Sequence, residues 1–429
     1  MRTYSIYITF FLIIPAVLCF SAKAQEGYRT SVFRDDIKSL EVKVEGELIS
    51  TPIIEMNGDE RIEITFDALH HSSGRYAYSV IHCDADWMKS ALLPLEYMKG
   101  FQQEAIKDFA NSIGTTTHYT NYKLVLPNED TQLTASGNYA IQIFEEDSPR
   151  KIVLTACFSI VEPLLDIDAG VSGKTDIDFN KEHQQVEFVI NQKKINIPFP
   201  QTDLKVFVYQ NNNFNDVRAN LQPLMITNNQ LQYRNNRELI FEAGNEYRRI
   251  EFLTYRVSGM GVAEIAFYNP YYHFTLYQDK KRTNRSYSYD QDQNGRFFVR
   301  CSGCNDPDTE GDYYVVHFSL SSEQMPNGKM YLYGDLFNNL LDTKSLMEYN
   351  PETGTYEADI LLKAGNYNFQ YVFMEEGSTK PSLKQTEGSF FETENEYTIS
   401  VYYRPMGARF DRLIGYKTIS SRDGLIRNK

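Results

Sequence analysis

The sequence predicts an all-β protein built from tandem antiparallel β-sandwich domains. Three observations lead to this fold class. Apolar and polar residues alternate with a period of two in most apolar segments. Tyrosine and phenylalanine, which favour strands, number 31 and 27 in a chain of 429 residues. Turn sequences such as Asn57-Gly58 and Asn294-Gly295 separate these segments at short intervals, which is typical of antiparallel sandwiches.

The clearest predicted strand covers residues 76–83, where Tyr76, Tyr78 and Val80 share one face. Helix is scarce. Residues 94–109 carry too few periodic apolar positions for a long helix, and Gly100 interrupts them, so we predict a long loop that crosses the first domain. Further strands are predicted at residues 122–126, 139–143, 186–190, 204–209, 249–256, 313–320, 329–333, 367–373 and 397–403.

Two turn-rich acidic passages divide the chain into domains. The first follows Glu162-Pro163, and the second lies near residues 304–312, where Pro307 and Gly311 break all periodicity. The predicted domains are therefore residues 25–163, 164–304 and 305–429. Each is a suitable size for one sandwich.

Residues 1–24 have the composition of a secretory signal peptide. An apolar run follows Arg2, and Ala22-Lys23-Ala24 predicts cleavage after Ala24. Two alternatives are a membrane anchor, for which the run is shorter than roughly 20 residues, and lipidation of Cys19, which the preceding Leu18 disfavours. Nothing later in the chain is long and apolar enough for a transmembrane segment.

The charge balance bounds the class of partner. The net charge is −14, and it becomes −16 after cleavage, with 41 basic residues against 57 acidic ones. An acidic chain without a basic stripe disfavours nucleic acid. An outer-membrane β-barrel is a further alternative, because it also combines a signal peptide with aromatic strands. The predicted strands are shorter than the roughly ten residues of such barrels and are often apolar on both faces.

Four cysteines remain after cleavage: Cys83, Cys157, Cys301 and Cys304. They permit up to two disulfides in three connectivities. The Cys301-Ser302-Gly303-Cys304 motif lacks the helix of a redox site and the second ligand pair of a zinc site. We predict a small structural disulfide here, with two free thiols as the alternative.

No motif of an enzyme is present in the sequence, and no cofactor is predicted. The densest polar cluster is residues 82–87 (HCDADW), in which Asp84 and Asp86 beside His82 could hold a metal. We favour a structural interpretation, in which the carboxylates cap backbone groups and Trp87 anchors the loop on the core.

The C-terminal segment resembles the early-set, Ig-like modules related to starch- and glycogen-binding domains. The motifs lie at residues 329–339 (KMYLYGDLFNN), 347–350, 354–357 and 361–373. Such modules grip sugars with exposed tryptophan, and Leu340 stands here where a tryptophan is expected. The resemblance implies an Ig-like fold and, as an alternative function, a periplasmic or secreted polysaccharide-binding protein whose site would include Tyr331 and Tyr333.

A wider resemblance covers nearly all of the mature chain. It is similar to the type IX secretion system plug family, formerly a domain of unknown function, through residues 80–87 (VIHCDADW), 96–101 (EYMKGF), 122–128 (YKLVLPN), 136–139 (SGNY), 209–212 (YQNN) and 244–248 (GNEYR).

The resemblance implies a non-enzymatic periplasmic protein that docks on the periplasmic mouth of the outer-membrane type IX translocon barrel. It would close the pore when no substrate carrier is bound. Contact residues do not follow from the family. The loop at residues 84–101, with Trp87, Tyr97 and Phe101, is our candidate, and packing within the domain is the simpler explanation of the same residues.

Overall fold

The structure is a computed structural model that describes residues 27–70, 74–227, 229–378 and 380–426. The predicted signal peptide lies outside the described residues. The predicted all-β fold with antiparallel sheets is confirmed. The α-helices of the described ranges are short: α1 (Pro94–Tyr97), α2 (Pro200–Asp203), α3 (Pro307–Glu310) and α4 (Ser421–Ile426).

The first unit of the fold contains two main sheets that share one apolar core, beside a separate sheet of two strands. Its strands are β1 (Ser31–Val32), β2 (Ile37–Val44), β3 (Ile53–Glu55), β4 (Ile62–Ala68), β5 (Tyr76–Cys83), β6 (Met98–Gly100), β7 (Gln103–Ala105), β8 (Asp108–Asn111), β9 (Thr120–Leu126), β10 (Thr131–Leu133), β11 (Gly137–Glu145) and β12 (Ile152–Val161). One sheet has the order β1-β12-β11-β5-β7, with β3 parallel to β12, and the other has the order β2-β4-β9-β8.

Aromatic side chains build the first core, as the period-two pattern predicts. Tyr76, Tyr78 and Val80 of β5 are all buried in it. Across the sandwich, Tyr76 of β5 meets Phe66 of β4 and Tyr122 of β9 edge to face, at centroid distances of 5.6 and 4.8 Å, while Phe66 and Tyr122 stack on each other within their own sheet. Each such ring buries a large apolar area, so these pairs fix how the two sheets face each other.

The predicted loop at residues 94–109 is wrong in part. This segment holds α1 and the short strands β6, β7 and β8, of which β7 pairs with β5 and β8 pairs with β9. These strands are only three or four residues long and lie at sheet edges, so no alternation long enough to detect is present. The predicted strand 249–256 likewise ends early, because its last residues form a turn.

Residues 164–243 contribute strands β13 (Asp166–Ser172), β14 (His183–Asn191), β15 (Leu204–Gln210), β16 (Met225–Thr227), β17 (Gln230–Tyr233) and β18 (Ile240–Glu242). One sheet has the order β13-β14-β17-β16, and β18 also pairs with β14. Strand β15 does not join this sheet.

Along the chain, the third unit begins before all the strands of the second unit have been formed. Its strands are β19 (Arg248–Phe252), β20 (Val262–Tyr268), β21 (Tyr271–Leu276), β22 (Asp279–Lys280), β23 (Phe297–Val299), β24 (Tyr313–Ser321), β25 (Gly328–Tyr333), β26 (Glu348–Asn350), β27 (Thr355–Lys363) and β28 (Gly365–Glu375). Strand β28 pairs with β19, β23 and β25, while the facing sheet has the order β20-β21-β24-β27-β26. Both sheets contribute to one core.

The chain then returns to the second unit. Strands β29 (Glu396–Tyr403) and β30 (Arg412–Ser420) form a sheet with β15, in the order β15-β29-β30. Tyr397, Ile399 and Val401 of β29 pack in the same core as Val206 and Val208 of β15.

The predicted boundary between residues 304 and 305 therefore falls inside a shared core. Strand β19 before it pairs with β28 after it, and β15 pairs with β29. The acidic passage with Pro307 lies within the third unit and contains the short helix α3, and its proline and glycine interrupt the strand periodicity as they would in a linker. We propose instead a first domain that ends near residue 162, a third unit at residues 244–393, and a second unit made of the flanking segments.

Buried polar contacts join the three units. The Lys363 ammonium of β27 lies 2.6 Å from the Asp67 carboxylate of β4, and both side chains are excluded from solvent. The Tyr313 hydroxyl donates to the same carboxylate at 2.6 Å. Elsewhere Arg296 of the third unit pairs with Glu396 of β29 and donates to Thr51 Oγ1 of the first unit at 3.3 Å. A buried charge is costly unless it is paired, so these contacts fix the units at defined positions.

Candidate docking surface

The candidate loop at residues 84–101 begins with a tight turn after β5. Trp87 has a φ of +63°, and its N–H donates to the Asp84 carbonyl at 2.9 Å. The Asp84 carboxylate accepts from the Asp411 N–H at 2.9 Å, and the Ala85 N–H donates to Asp411 Oδ2 at 3.0 Å. Residues 84–85 are thereby held against residues 404–411, the connection between β29 and β30.

His82, which the sequence places beside these carboxylates, has a structural role. It is 1% exposed, its Nδ1 lies 2.9 Å from Ser90 Oγ, and its Nε2 lies 3.0 Å from the Ser136 carbonyl. Burial lowers the pKa of His82 to about 4, so the ring is neutral at physiological pH. Throughout the described residues, no group of three or more His, Cys, Asp or Glu side chains is placed to hold a metal ion.

Trp87 lies in the interior, not on the surface. It is 8% exposed and shares a small apolar cluster with Cys83, Ala140 and Cys157. Phe214 of the second unit meets the indole edge to face at 5.6 Å. The only tryptophan of the chain therefore fills the contact between the first and second units.

Tyr97 is also buried, whereas Phe101 is exposed. The Tyr97 hydroxyl, at the end of α1, donates to the Val80 carbonyl at 2.9 Å. Gly100 has a φ of +120°, and a Cβ atom there would lie 1.9 Å from the Asp130 carbonyl oxygen. Only glycine allows this approach of β6 to β10, and the chain then turns so that the Phe101 ring is 76% exposed.

Other exposed apolar side chains occur on the same two segments. Leu93 is 56% and Leu95 80% exposed, and Met406, on the facing connection, is 97% exposed. The Arg409 guanidinium holds the segments together, because it lies 2.7 Å from the Glu96 carboxylate. We call residues 93–101 and 404–411 the docking surface. Of the three residues singled out from the sequence, it contains Phe101 as an exposed side chain.

A second aromatic region was missed by the sequence reasoning. The β20–β21 hairpin exposes Phe267 and Tyr268, at 53% and 64%. The sequence does indicate this region, because two aromatic residues stand on each side of Asn269-Pro270.

The cysteines fall into two classes. Cys301 and Cys304 are joined in a disulfide. Cys83 and Cys157 are free thiols, both buried. Burial raises the pKa of Cys83 to about 12 and also raises that of Cys157. These two thiols are unreactive as nucleophiles while the protein is folded.

The residues that suggested a sugar site are not arranged as a stacking platform. Tyr333 is 3% exposed, and its hydroxyl accepts from Asn215 Nδ2 at 2.8 Å. Tyr331 is half-buried. A pyranose ring needs an open aromatic face, and Tyr333 does not offer one.

Comparison with known proteins relates this architecture to a family. The family model for the type 9 secretion system plug protein 1st domain matches residues 37–162, which include both main sheets of the first unit. Residues 37–162 therefore form the first domain of a type IX secretion system plug protein. A hypothetical protein from Parabacteroides merdae, known from a crystal structure, is 57% identical; the match covers 92% of this chain and 100% of that one, with a TM-score of 0.91.

Two further solved structures are only remotely similar to this chain. A partial N-terminal region of an enterococcal surface protein and a protein of unknown function from Bacteroides ovatus are each 9% identical, with TM-scores of 0.19 and 0.15. They cover 93% and 82% of this chain and 97% of their own chains, and such low scores carry no structural argument. No curated protein matches. Within the described ranges, the helices are all too short or too polar to cross a membrane.

Proposed function

We propose that this protein is a periplasmic plug of the type IX secretion system. It docks on the periplasmic mouth of the outer-membrane translocon barrel and closes the pore when no substrate carrier is bound. The match of residues 37–162 to the plug-protein model carries the proposal. The all-β architecture supports a structural role without catalysis.

The contacts between units suit a protein that must block a pore. A plug has to resist deformation, and three sandwiches that moved independently would leave gaps. The Asp67–Lys363 pair and the Arg296–Glu396 pair join separate units through side chains that are wholly or mostly buried. Separating either pair would leave a charged side chain buried without its partner, which costs several kcal/mol.

The docking surface is the region that we assign to the translocon. It combines exposed apolar side chains with a rim of ion pairs such as Glu96–Arg409, which is the usual composition of a protein interface. Leu95 and Phe101 are the anchors in this proposal. Trp87 and Tyr97 support the surface from below and make no contact with the partner.

Affinity purification of the tagged translocon from cross-linked membranes tests both the function and the surface. Wild-type protein is expected to co-purify, and deletion of the gene is expected to make the outer membrane permeable to large solutes. The double variant Leu95→Asp with Phe101→Asp should be recovered at least tenfold less. Ile177→Asp is the matched control, because Ile177 is 58% exposed on the second unit and is not among residues 93–101 and 404–411.

The outcomes separate the two parts of the proposal. Wild-type protein recovered only in the soluble fraction, with an intact permeability barrier, would contradict the plug function. Equal recovery of the double variant and the wild type would contradict the surface alone. Mass spectrometry of the periplasmic form should find Gln25 as the first residue if cleavage follows Ala24.

A further inference from the structure

The outer face of the β20-β21-β24-β27-β26 sheet carries a chain of three hydrogen-bonding side chains. His273 Nδ1 of β21 lies 2.8 Å from His317 Nε2 of β24. His317 Nδ1 lies 2.6 Å from Asp359 Oδ1 of β27. The parallel register places Thr275 beside His317, so His273 and His317 are diagonal neighbours on one face. Neither the fold nor the plug function requires this arrangement.

The carboxylate determines which nitrogen of His317 is free. Asp359 accepts a hydrogen bond, so the proton of neutral His317 is on Nδ1 and its Nε2 has a lone pair. That lone pair faces His273 Nδ1. If neutral His273 has its proton on Nδ1, that N–H donates to the His317 lone pair. If the proton is on His273 Nε2 instead, the lone pairs of His273 Nδ1 and His317 Nε2 face each other across 2.8 Å.

We propose that His273 and His317 bind a divalent transition-metal ion of the zinc, copper or nickel class. Imidazole nitrogen is a preferred donor for these ions. Nitrogens about 2.05 Å from a tetrahedral ion are about 3.4 Å apart, so the rings need to separate by about half an ångström. Water completes the coordination, because the site holds two protein donors.

Asp359 acts as a positioning residue in this site. Histidines that bind metals usually donate their other ring N–H to a carboxylate, which fixes the ring and increases its basicity. Asp359 fulfils this condition before any metal is present. Other groups on the same face are the Tyr268 ring, which meets His273 edge to face at 5.1 Å, and the carboxylates of Glu264 and Glu357.

Isothermal titration of the mature protein, purified without a polyhistidine tag, tests the site with Zn²⁺ alone and with Mg²⁺ as a hard-cation control. One equivalent of Zn²⁺ should bind, and Mg²⁺ should not. His273→Ala and His317→Ala should each weaken Zn²⁺ affinity at least tenfold. Asp359→Asn should weaken it about tenfold, because it acts through His317.

A matched control is available in the second unit. His183 Nδ1 lies 2.6 Å from Asp178 Oδ2, so His183→Ala removes a histidine–carboxylate pair and leaves His273 and His317 unchanged. It should leave Zn²⁺ affinity unchanged. His317→Gln retains hydrogen bonding if the alanine variant is unstable, and circular dichroism verifies its fold. Absence of binding by wild type, or unchanged affinity in the His317 variants, overturns the proposal.

Discussion

Glu246 is a buried carboxyl whose charge the folded protein disfavours. It is 1% exposed, between the second and third units. Its Oε1 accepts hydrogen bonds from the Tyr287 hydroxyl and the Glu394 N–H, whereas its Oε2 is buried without a hydrogen-bond partner. Burial, together with the nearby charges of Asp292 and Glu394, raises the pKa of Glu246 to about 7.

This pKa makes folding stability depend on pH in a defined direction. The unfolded chain loses the proton near the ordinary pKa of 4.5, and the folded protein keeps it until about 7. Stability from this group is therefore complete below pH 4.5, and it is lost as the pH rises to about 7. The difference between the two pKa values corresponds to about 3 kcal/mol.

Glu246→Gln should remove this dependence. Glutamine retains the acceptor for Tyr287 and Glu394 and has no proton to lose. As the pH rises from 5 to 8, the wild type should lose about 2 to 3 kcal/mol of unfolding free energy relative to the variant. Urea denaturation at both pH values, followed by far-ultraviolet circular dichroism, measures it. Glu129→Gln, at an exposed carboxyl, is the control. Parallel pH profiles for wild type and Glu246→Gln would refute the reasoning.

Three further outcomes are expected. Lys363→Met should cost about 3 to 5 kcal/mol in urea denaturation, because it leaves Asp67 buried without its cation; a loss below 1 kcal/mol would contradict the contact between units. Alkylation of the native, reduced protein should modify the two disulfide cysteines, and mass spectrometry should find Cys83 and Cys157 labelled only after denaturation; early labelling would show that they are accessible. Gly100→Ala should lower the melting temperature, because the Cβ atom of the alanine would lie 1.9 Å from the Asp130 carbonyl oxygen.

The strands of the cores could be predicted from the sequence because their alternation is long. Residues 76–83 and 204–209 were predicted almost to their observed ends, since tyrosine, valine and isoleucine at every second position specify a buried face. The edge strands at residues 98–111 could not be predicted in this way, because a strand of three or four residues is too short to show an alternating pattern. Their pairing depends on tertiary contact with β5, β9 and β10.

The sequence predicted the candidate site only as the segment of residues 84–101. Trp87 and Tyr97 have the composition of an interface, but nothing local shows that Phe214, from the second unit, covers Trp87. The His273–His317 pair was absent from the sequence reasoning because 44 positions separate the two residues. Only the parallel register of β21 and β24 brings them together.

The return of the chain from the third unit to the second has a consequence during synthesis. Strand β15 emerges early from the ribosome, but its partner β29 begins at Glu396. All of β19 to β28 is made in the interval, so the later unit can finish folding while the earlier one still lacks half its sandwich. A nascent chain halted near residue 375 would present a ready-made β15 edge to any neighbouring strand, and the last strands of the protein are those that close it.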